Sequence, residues 1–271
     1  MIVNCINRVI NKFGFSMSVS RMHSNNAEEV SVINKSVKTD RIVKYETPTG
    51  DYYLPADAVQ DIVANTIIRG EVFEKEVVEL ASNYIARDTV VLDVGSNFGQ
   101  MAILFAKMVG ENGKVFAFDA DDFVFKILEK NIELNKLSRV IKPFFGAVHD
   151  NDDETLLFPE QDFVRFGSYG SYGIDYNATK GRKVKTLTID SLGIQEHVSF
   201  MKIDIQGGDL LALKGAMKTI EKNKMPILFE YEYQLEEEFN MKFQDYVDFV
   251  TKIDYKFEKV INGHNFLIIP K

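Results

Sequence analysis

Residues 89–108 read TVVLDVGSNFGQMAILFAKM, and the rest of the chain is organised around them. The first six residues are mostly apolar and β-branched, which is typical of a short strand buried on both faces. A turn with Gly95 and Gly99 follows, and the apolar residues beyond it recur at helical spacing. A strand, a glycine turn and a helix in this order direct backbone N–H groups and a helix N-terminus toward a small ligand.

The glycine spacing separates two nucleotide-type ligands. A dinucleotide site has the pattern G-x-G-x-x-G, in which the second glycine lets the backbone approach a pyrophosphate. Here Asn97 stands at that position, and a carboxylate, Asp93, ends the strand. A carboxylate repels a pyrophosphate but attracts a ligand with an ammonium and a sulfonium, so the pattern favours S-adenosylmethionine. The predicted cofactor contacts in this stretch are Asp93, Gly95, Ser96, Asn97 and Gly99.

A second carboxylate ends the next predicted strand, residues 114–119. Asp119 lies roughly twenty residues past the glycines, where an acceptor for ribose hydroxyls is expected, and Ala120 follows it as a further predicted contact. The turn Gly146-Ala147 follows the third predicted strand and is predicted to lie beside the adenine. A dinucleotide and S-adenosylmethionine both contain a ribose, so the presence of Asp119 does not distinguish between these two ligands. The alternative is that the aspartates only cap helices or turns.

Residues 198–205 predict a fourth core strand, with Lys202 and Asp204 on one face. A lysine inside a central strand requires a partner, and Asp204 or Asp93 is expected to supply it. Glu230 ends the fifth predicted strand at the same edge of the sheet. Because a hydroxyl nucleophile benefits from a general base, the predicted catalytic residues are, in decreasing order, Asp204, Glu230 and His149. Asp204 is also a predicted cofactor contact, since its charge favours a sulfonium.

Composition narrows the class of protein. The 271 residues include 40 acidic and 32 basic side chains, for a net charge of −8, which argues against nucleic acid as the main partner. The single cysteine, Cys5, cannot form an intrachain disulfide, which indicates a reducing, cytoplasmic setting. No apolar run reaches the ~20 residues of a membrane-spanning helix, so we expect no stable membrane insertion. No histidine stands at metal-ligand spacing from carboxylates, so no metal site is predicted.

The chain divides into three predicted parts. Residues 1–40 are expected to form a flexible tail, and residues 41–88 a β-hairpin with helices that cover the core. Residues 89–271 form the predicted core, in which residues 151–190 are an inserted segment of strands and loops.

Within that insert, the glycine- and tyrosine-rich residues 167–173 fit either a substrate lid or a plain turn. Tyr176 and Lys180 have the spacing of the Tyr-x-x-x-Lys pair of short-chain dehydrogenases. Glycines 173 and 181 flank the pair closely, so the helix that such a pair needs is not predicted.

Several of these pieces, taken in order, resemble the FkbM-type class I methyltransferases. The matching stretches are residues 92–99, 117–119, 184–192, 202–207 and 265–270. The resemblance implies an α/β fold: a three-layer, Rossmann-like sheet of seven strands with the seventh antiparallel, behind an N-terminal extension. It also implies S-adenosylmethionine as the methyl donor and a hydroxyl acceptor on a sugar or small natural product.

This chain departs from the FkbM pattern at three positions. Asp119 stands where glutamate is common, and Gln206 and Asp209 replace usual glutamates. Asp119 keeps the acceptor chemistry of a carboxylate, whereas Gln206 cannot take a proton and holds a metal poorly. The expected function is therefore O-methylation of a small molecule or glycan. The alternatives are a dinucleotide-dependent oxidoreductase and a non-catalytic binding protein that retains the cofactor fold.

Overall fold

The computed structural model describes residues 42–56, 61–159, 168–176 and 178–271. The predicted tail, residues 1–40, lies outside them. The described chain begins with an antiparallel hairpin of strands β1 (Ile42–Thr47) and β2 (Gly50–Pro55), joined by a two-residue turn. Two short helices follow, α1 (Ile62–Ile68) and α2 (Lys75–Ala81). They pack against the core and bring residues 61–74 toward one edge of the main sheet.

Strands and helices then alternate through most of the chain. In order they are β3 (Val90–Val94), α3 (Gln100–Val109), β4 (Lys114–Asp119), α4 (Asp122–Leu134), β5 (Ile141–Phe145), β6 (Ala147–Val148), β7 (Thr155–Phe158), β8 (Arg182–Leu187), β9 (Val198–Ile203), α5 (Asp209–Lys214), α6 (Met217–Asn223), β10 (Ile227–Glu230), α7 (Glu236–Phe239), α8 (Phe243–Lys252), β11 (Tyr255–Ile261) and β12 (Asn265–Pro270).

The main sheet has seven strands in the order β11-β12-β10-β9-β3-β4-β5. Neighbours from β5 to β10 pair in parallel, and β12 runs antiparallel between β10 and β11. The predicted seven-stranded α/β fold with an antiparallel seventh strand is thus confirmed. A smaller sheet, β6-β8-β7, is built largely from the predicted insert.

Helices cover both faces of the main sheet, because its central strands are apolar on both faces. Along β3, Val90, Leu92 and Val94 pack into one apolar cluster with residues of α5, α6 and α8. Val91 points to the opposite side and packs with residues of α1 to α4. This alternation produces the three layers.

The topology brings the carboxyl ends of β3, β4, β9 and β10 to one edge of the sheet, where ligands bind in such folds. None of the helices in the described ranges combines the length and apolar character needed to cross a bilayer.

Candidate active site

A cavity of about 460 Å³ lies at this edge of the sheet. Its walls come from the turns after β3, β4 and β9, the end of β10, residues 168–176 and residues 73–74. All three predicted catalytic residues line it: His149, Asp204 and Glu230. Eight of the ten predicted cofactor contacts line it as well: Gly95, Ser96, Asn97, Asp119, Ala120, Gly146, Ala147 and Asp204.

The other two predicted contacts, Asp93 and Gly99, do not line the cavity. Asp93 is fully buried in β3, and its carboxylate lies 4.0 Å from the Lys202 ammonium. Gly99 immediately precedes α3, and a Cβ there would lie 2.6 Å from Leu128 Cδ1 of α4. In this structure both residues support the turn from behind. A direct contact of either one with a cofactor remains a prediction.

The first residue of the turn must be a glycine because the chain leaving the neighbouring strand β9 passes very close to it. Gly95 has φ +82°, and a Cβ on it would lie 1.8 Å from the Asp204 carbonyl oxygen. The turn after β3 therefore packs directly on the chain leaving β9. The glycine pattern suggested a cofactor site, but at this position glycine is needed in the first place because the ends of β3 and β9 pack so closely.

Asp119 joins the ends of β3 and β4. Its Oδ2 accepts a hydrogen bond from the Asn97 backbone N–H at 2.9 Å, and its Oδ1 accepts one from Asp121 N–H at 2.9 Å. Burial raises the pKa of Asp119 to about 7. Each carboxylate oxygen has more than one lone pair, so Asp119 can accept further hydrogen bonds from ligand hydroxyls.

The Lys202 ammonium is held between two carboxylates beneath this turn. Its Nζ lies 3.2 Å from Asp204 Oδ2 and 4.0 Å from Asp93 Oδ1, and it donates to the Gly95 carbonyl at 3.1 Å. Both partners proposed from the sequence are therefore present. Burial alone would lower the pKa of Lys202, but Asp204 and Asp93 raise it above its usual value. The lysine is charged and fully engaged.

The two predicted carboxylate bases form a single unit. Burial, reinforced by the nearby Asp204, raises the pKa of Glu230 far above its usual range, so Glu230 holds its proton and shares a hydrogen bond with Asp204. Gln206 bridges the pair, donating through Nε2 to Glu230 Oε2 at 2.9 Å and to Asp204 Oδ1 at 3.4 Å. Burial would raise the pKa of Asp204, but Lys202 and these hydrogen bonds hold it below its usual value. A protonated Glu230 and a stabilised Asp204 are both weak bases.

His149 is the third predicted base, and its surroundings differ. It is 8% exposed, and its Nε2 lies 2.7 Å from the Tyr176 hydroxyl. Its Nδ1 lies 2.8 Å from Asp150 Oδ1, although the two are not aligned for a hydrogen bond. The carboxylate, the imidazole and the hydroxyl thus lie in series, and the hydrogen bond to Tyr176 orients the imidazole.

Residues 168–170 form part of the cavity wall. Asp61, buried at the start of α1, accepts hydrogen bonds through Oδ2 from Ser168 Oγ at 3.0 Å and from Tyr169 N–H at 2.6 Å. The Tyr169 ring packs edge-on against Phe98, with ring centroids 5.8 Å apart. The glycine- and tyrosine-rich segment is therefore attached at this end to both α1 and the β3–α3 turn.

Two residues that support the site were not predicted from the sequence, one before β3 and one after it. Glu74 lines the cavity in a left-handed conformation, φ 47°, and accepts a hydrogen bond from Asn265 Nδ2 at 3.0 Å. Gln100, buried at the start of α3, fixes the segment leading to it: it accepts from Phe73 N–H at 2.9 Å and donates to the Glu71 carbonyl at 2.8 Å. Gln100 could have been noticed as a polar residue inside an apolar helix pattern, whereas no local pattern marks Glu74.

The charges of the cavity suit a cationic ligand. Glu74, Asp204 and Glu232 line it, whereas Lys202 is the one lysine among the described lining residues and no arginine lines it. Because Lys202 is already enclosed by carboxylates, its ammonium is not available to a pyrophosphate. A sulfonium and an ammonium would be attracted by the same side chains. The residues present therefore fit S-adenosylmethionine better than a dinucleotide.

Comparison with known families shows to which protein family the chain belongs. Residues 93–257, more than half of the chain, match the family model described as the methyltransferase FkbM domain. The chain belongs to the FkbM methyltransferase family. Residues 17–146 also match the model for protein-L-isoaspartate(D-aspartate) O-methyltransferase, which overlaps the first match over residues 93–146. The resemblance inferred from the motifs is thus confirmed. Glu74 and His264, which both line the cavity, lie outside the FkbM match.

Solved structures of methyltransferases also resemble the chain. The methyltransferase FkbM from Methylobacillus flagellatus is 16% identical, with 80% of this chain and 55% of that chain covered and a TM-score of 0.44. A SAM-dependent O-methyltransferase from Thermotoga maritima is 12% identical, with 84% and 85% covered and a TM-score of 0.43. No curated protein sequence gave a significant match.

Proposed function

We propose that this FkbM-family protein uses S-adenosylmethionine to methylate a hydroxyl group on a sugar or small natural product. The observation that carries the proposal is the cavity itself, in which, among the residues that the structure describes, acidic side chains outnumber the enclosed Lys202. Asp119 would accept hydrogen bonds from the ribose, and Gly146 and Ala147 would lie beside the adenine. Asp204 would face the cationic end of the cofactor. The bound cofactor would supply an activated methyl group.

The residues of the chain would contribute mainly alignment. Holding two reacting groups in line can account for about 7–11 kcal/mol of a reaction barrier, against the ~10²–10⁴-fold that acid–base catalysis typically gives. His149 is the base that we favour, because Glu230 holds its proton and Asp204 is paired with Lys202. This reverses the order expected from the sequence, in which the two carboxylates came first.

Methyl transfer from labelled S-adenosylmethionine tests this proposal. We expect transfer to at least one member of a panel of sugars, phenols and aliphatic alcohols, with RNA and protein acceptors assayed beside them. S-Adenosylhomocysteine should raise the melting temperature, because a ligand that binds only the folded state stabilises it, and NADH should not. A shift with NADH alone would favour the oxidoreductase. Donor binding without transfer to any acceptor would favour a binding protein, and transfer only to RNA or protein would reject the proposed acceptor class.

A further inference from the structure

Tyr176 lies beside the proposed base, His149, but has no role in the methyl transfer described above. Its hydroxyl lies in the candidate active site, 2.7 Å from Nε2 of His149, yet 43% of the residue is exposed to solvent. The tyrosine therefore reaches the imidazole from the open side of the cavity. A side chain so exposed can leave its place with little loss of packing.

The imidazole is oriented to accept a hydrogen bond at this point. Asp150 lies on the Nδ1 side of His149, which favours the tautomer with the proton on Nδ1 and the lone pair on Nε2. Burial, with Asp150 and Glu154 nearby, raises the pKa of Tyr176 to about 12, so its hydroxyl keeps its proton. With His149 in that tautomer, the hydroxyl donates a hydrogen bond to Nε2. A hydroxyl donor thus already occupies the basic nitrogen of the proposed base.

The ring that carries this hydroxyl also has a defined place. It packs edge-on against Phe239, with ring centroids 5.5 Å apart and an interplanar angle of 83°. The Phe239 ring in turn lies against the turn after β9, where a Cβ on Gly207 would be 2.4 Å from it. Tyr176 therefore places a phenol between the proposed base and the turn that carries Asp204 and Gln206.

We propose that the Tyr176 phenol occupies the acceptor's position, and that the acceptor is a phenol whose hydroxyl displaces it from His149 Nε2 and whose ring packs against Phe239. This inference rests on the proposed function and narrows its acceptor class. The aromatic wall suits a flat ring, whose edge and face make favourable contacts with Phe239. Tyr176 is then a positioning residue that keeps the base covered until the acceptor arrives.

The test is a titration of phenol into protein saturated with S-adenosylhomocysteine, followed through the NMR signals of labelled histidines. The His149→Gln variant identifies the His149 signals. We expect phenol to shift them saturably and to bind Tyr176→Phe about 2- to 12-fold more tightly than the unchanged protein, the factor that corresponds to one competing neutral hydrogen bond. The matched control is Tyr233→Phe, at an exposed tyrosine that does not line the cavity, and it should leave the affinity unchanged.

Methyl α-D-glucoside serves as a second probe, and it should bind more weakly than phenol. Equal or weaker phenol binding by Tyr176→Phe, no shift of the His149 signals, or a preference for the glucoside would each overturn the inference. Failure of the unchanged protein to bind S-adenosylhomocysteine would reject the proposed function instead, so the two failures are distinguishable.

Discussion

Lys202→Met should lower the free energy of unfolding by about 3–5 kcal/mol at pH 7, the usual effect of removing one partner from a buried charge pair. Lys202 and Asp93 are direct partners in the parallel β9–β3 ladder, and Asp93 is fully buried. Without the ammonium, Asp93 and Asp204 would lack a cation, and the Gly95 carbonyl would lose its donor. Urea denaturation of the two proteins measures the difference.

A matched surface substitution and a change of pH sharpen this test. Lys256→Met removes a half-exposed lysine that lies 3.0 Å from Glu258, and exposed pairs of this kind contribute only about 0–1 kcal/mol. In the Lys202→Met variant the pKa of Asp204 should rise above its unfolded value, and the pKa of Asp93, which burial already raises, should rise further. Such groups contribute stability below the unfolded pKa and lose it as the pH rises through the folded pKa, so the deficit should shrink toward pH 4. Equal losses for the two variants at pH 7 would contradict the buried network.

Gly95→Ala is the second substitution with a large expected effect. Two costs combine: a left-handed backbone costs about 1–2 kcal/mol for a residue with a Cβ, and forced overpacking about 1–3 kcal/mol more. The overpacking arises because the new Cβ would meet the Asp204 carbonyl oxygen at 1.8 Å. Thermal or urea unfolding should therefore show a loss of about 2–5 kcal/mol, and binding of S-adenosylhomocysteine should weaken with it.

Gly193→Ala separates the two costs. Gly193 also has a positive φ, 58°, but a Cβ there would have nothing within 4 Å. Only the backbone cost of about 1–2 kcal/mol is expected at that position. If the two alanine variants were equally stable, the close approach of the β3 turn to β9 would not hold.

The sequence predicts most of this fold because its strands and helices have strong, separate periodicities. The run from Val90 to Val94 is apolar on both faces, and helices do cover both faces of β3. The alternation of strands and helices up to the closing pair is enough to place five strand ends at one edge. The sequence alone therefore places Asp93 and Asp119, at or near the ends of β3 and β4, close to one another.

The sequence does not show how deeply a side chain is buried or whether a carboxyl group holds its proton. Asp93 and Asp119 look alike as strand-ending carboxylates, but Asp93 is buried behind the turn and only Asp119 lines the cavity. Glu230 looks like a base until Asp204 is placed beside it, because the shift of its pKa depends on a partner distant in sequence. Glu74 and Tyr176 reach the cavity from segments without a regular pattern, so only the folded chain reveals them.

We expect the cavity at the carboxyl edge of β3, β4 and β9 to hold an adenosyl cofactor. A crystal structure grown with S-adenosylhomocysteine tests it most directly. We expect the ribose beside Asp119, the adenine beside Gly146 and Ala147, and the amino-acid end toward Gly95 and Asp204. Density for the ligand outside this cavity, or a ribose with no contact to Asp119, would contradict it.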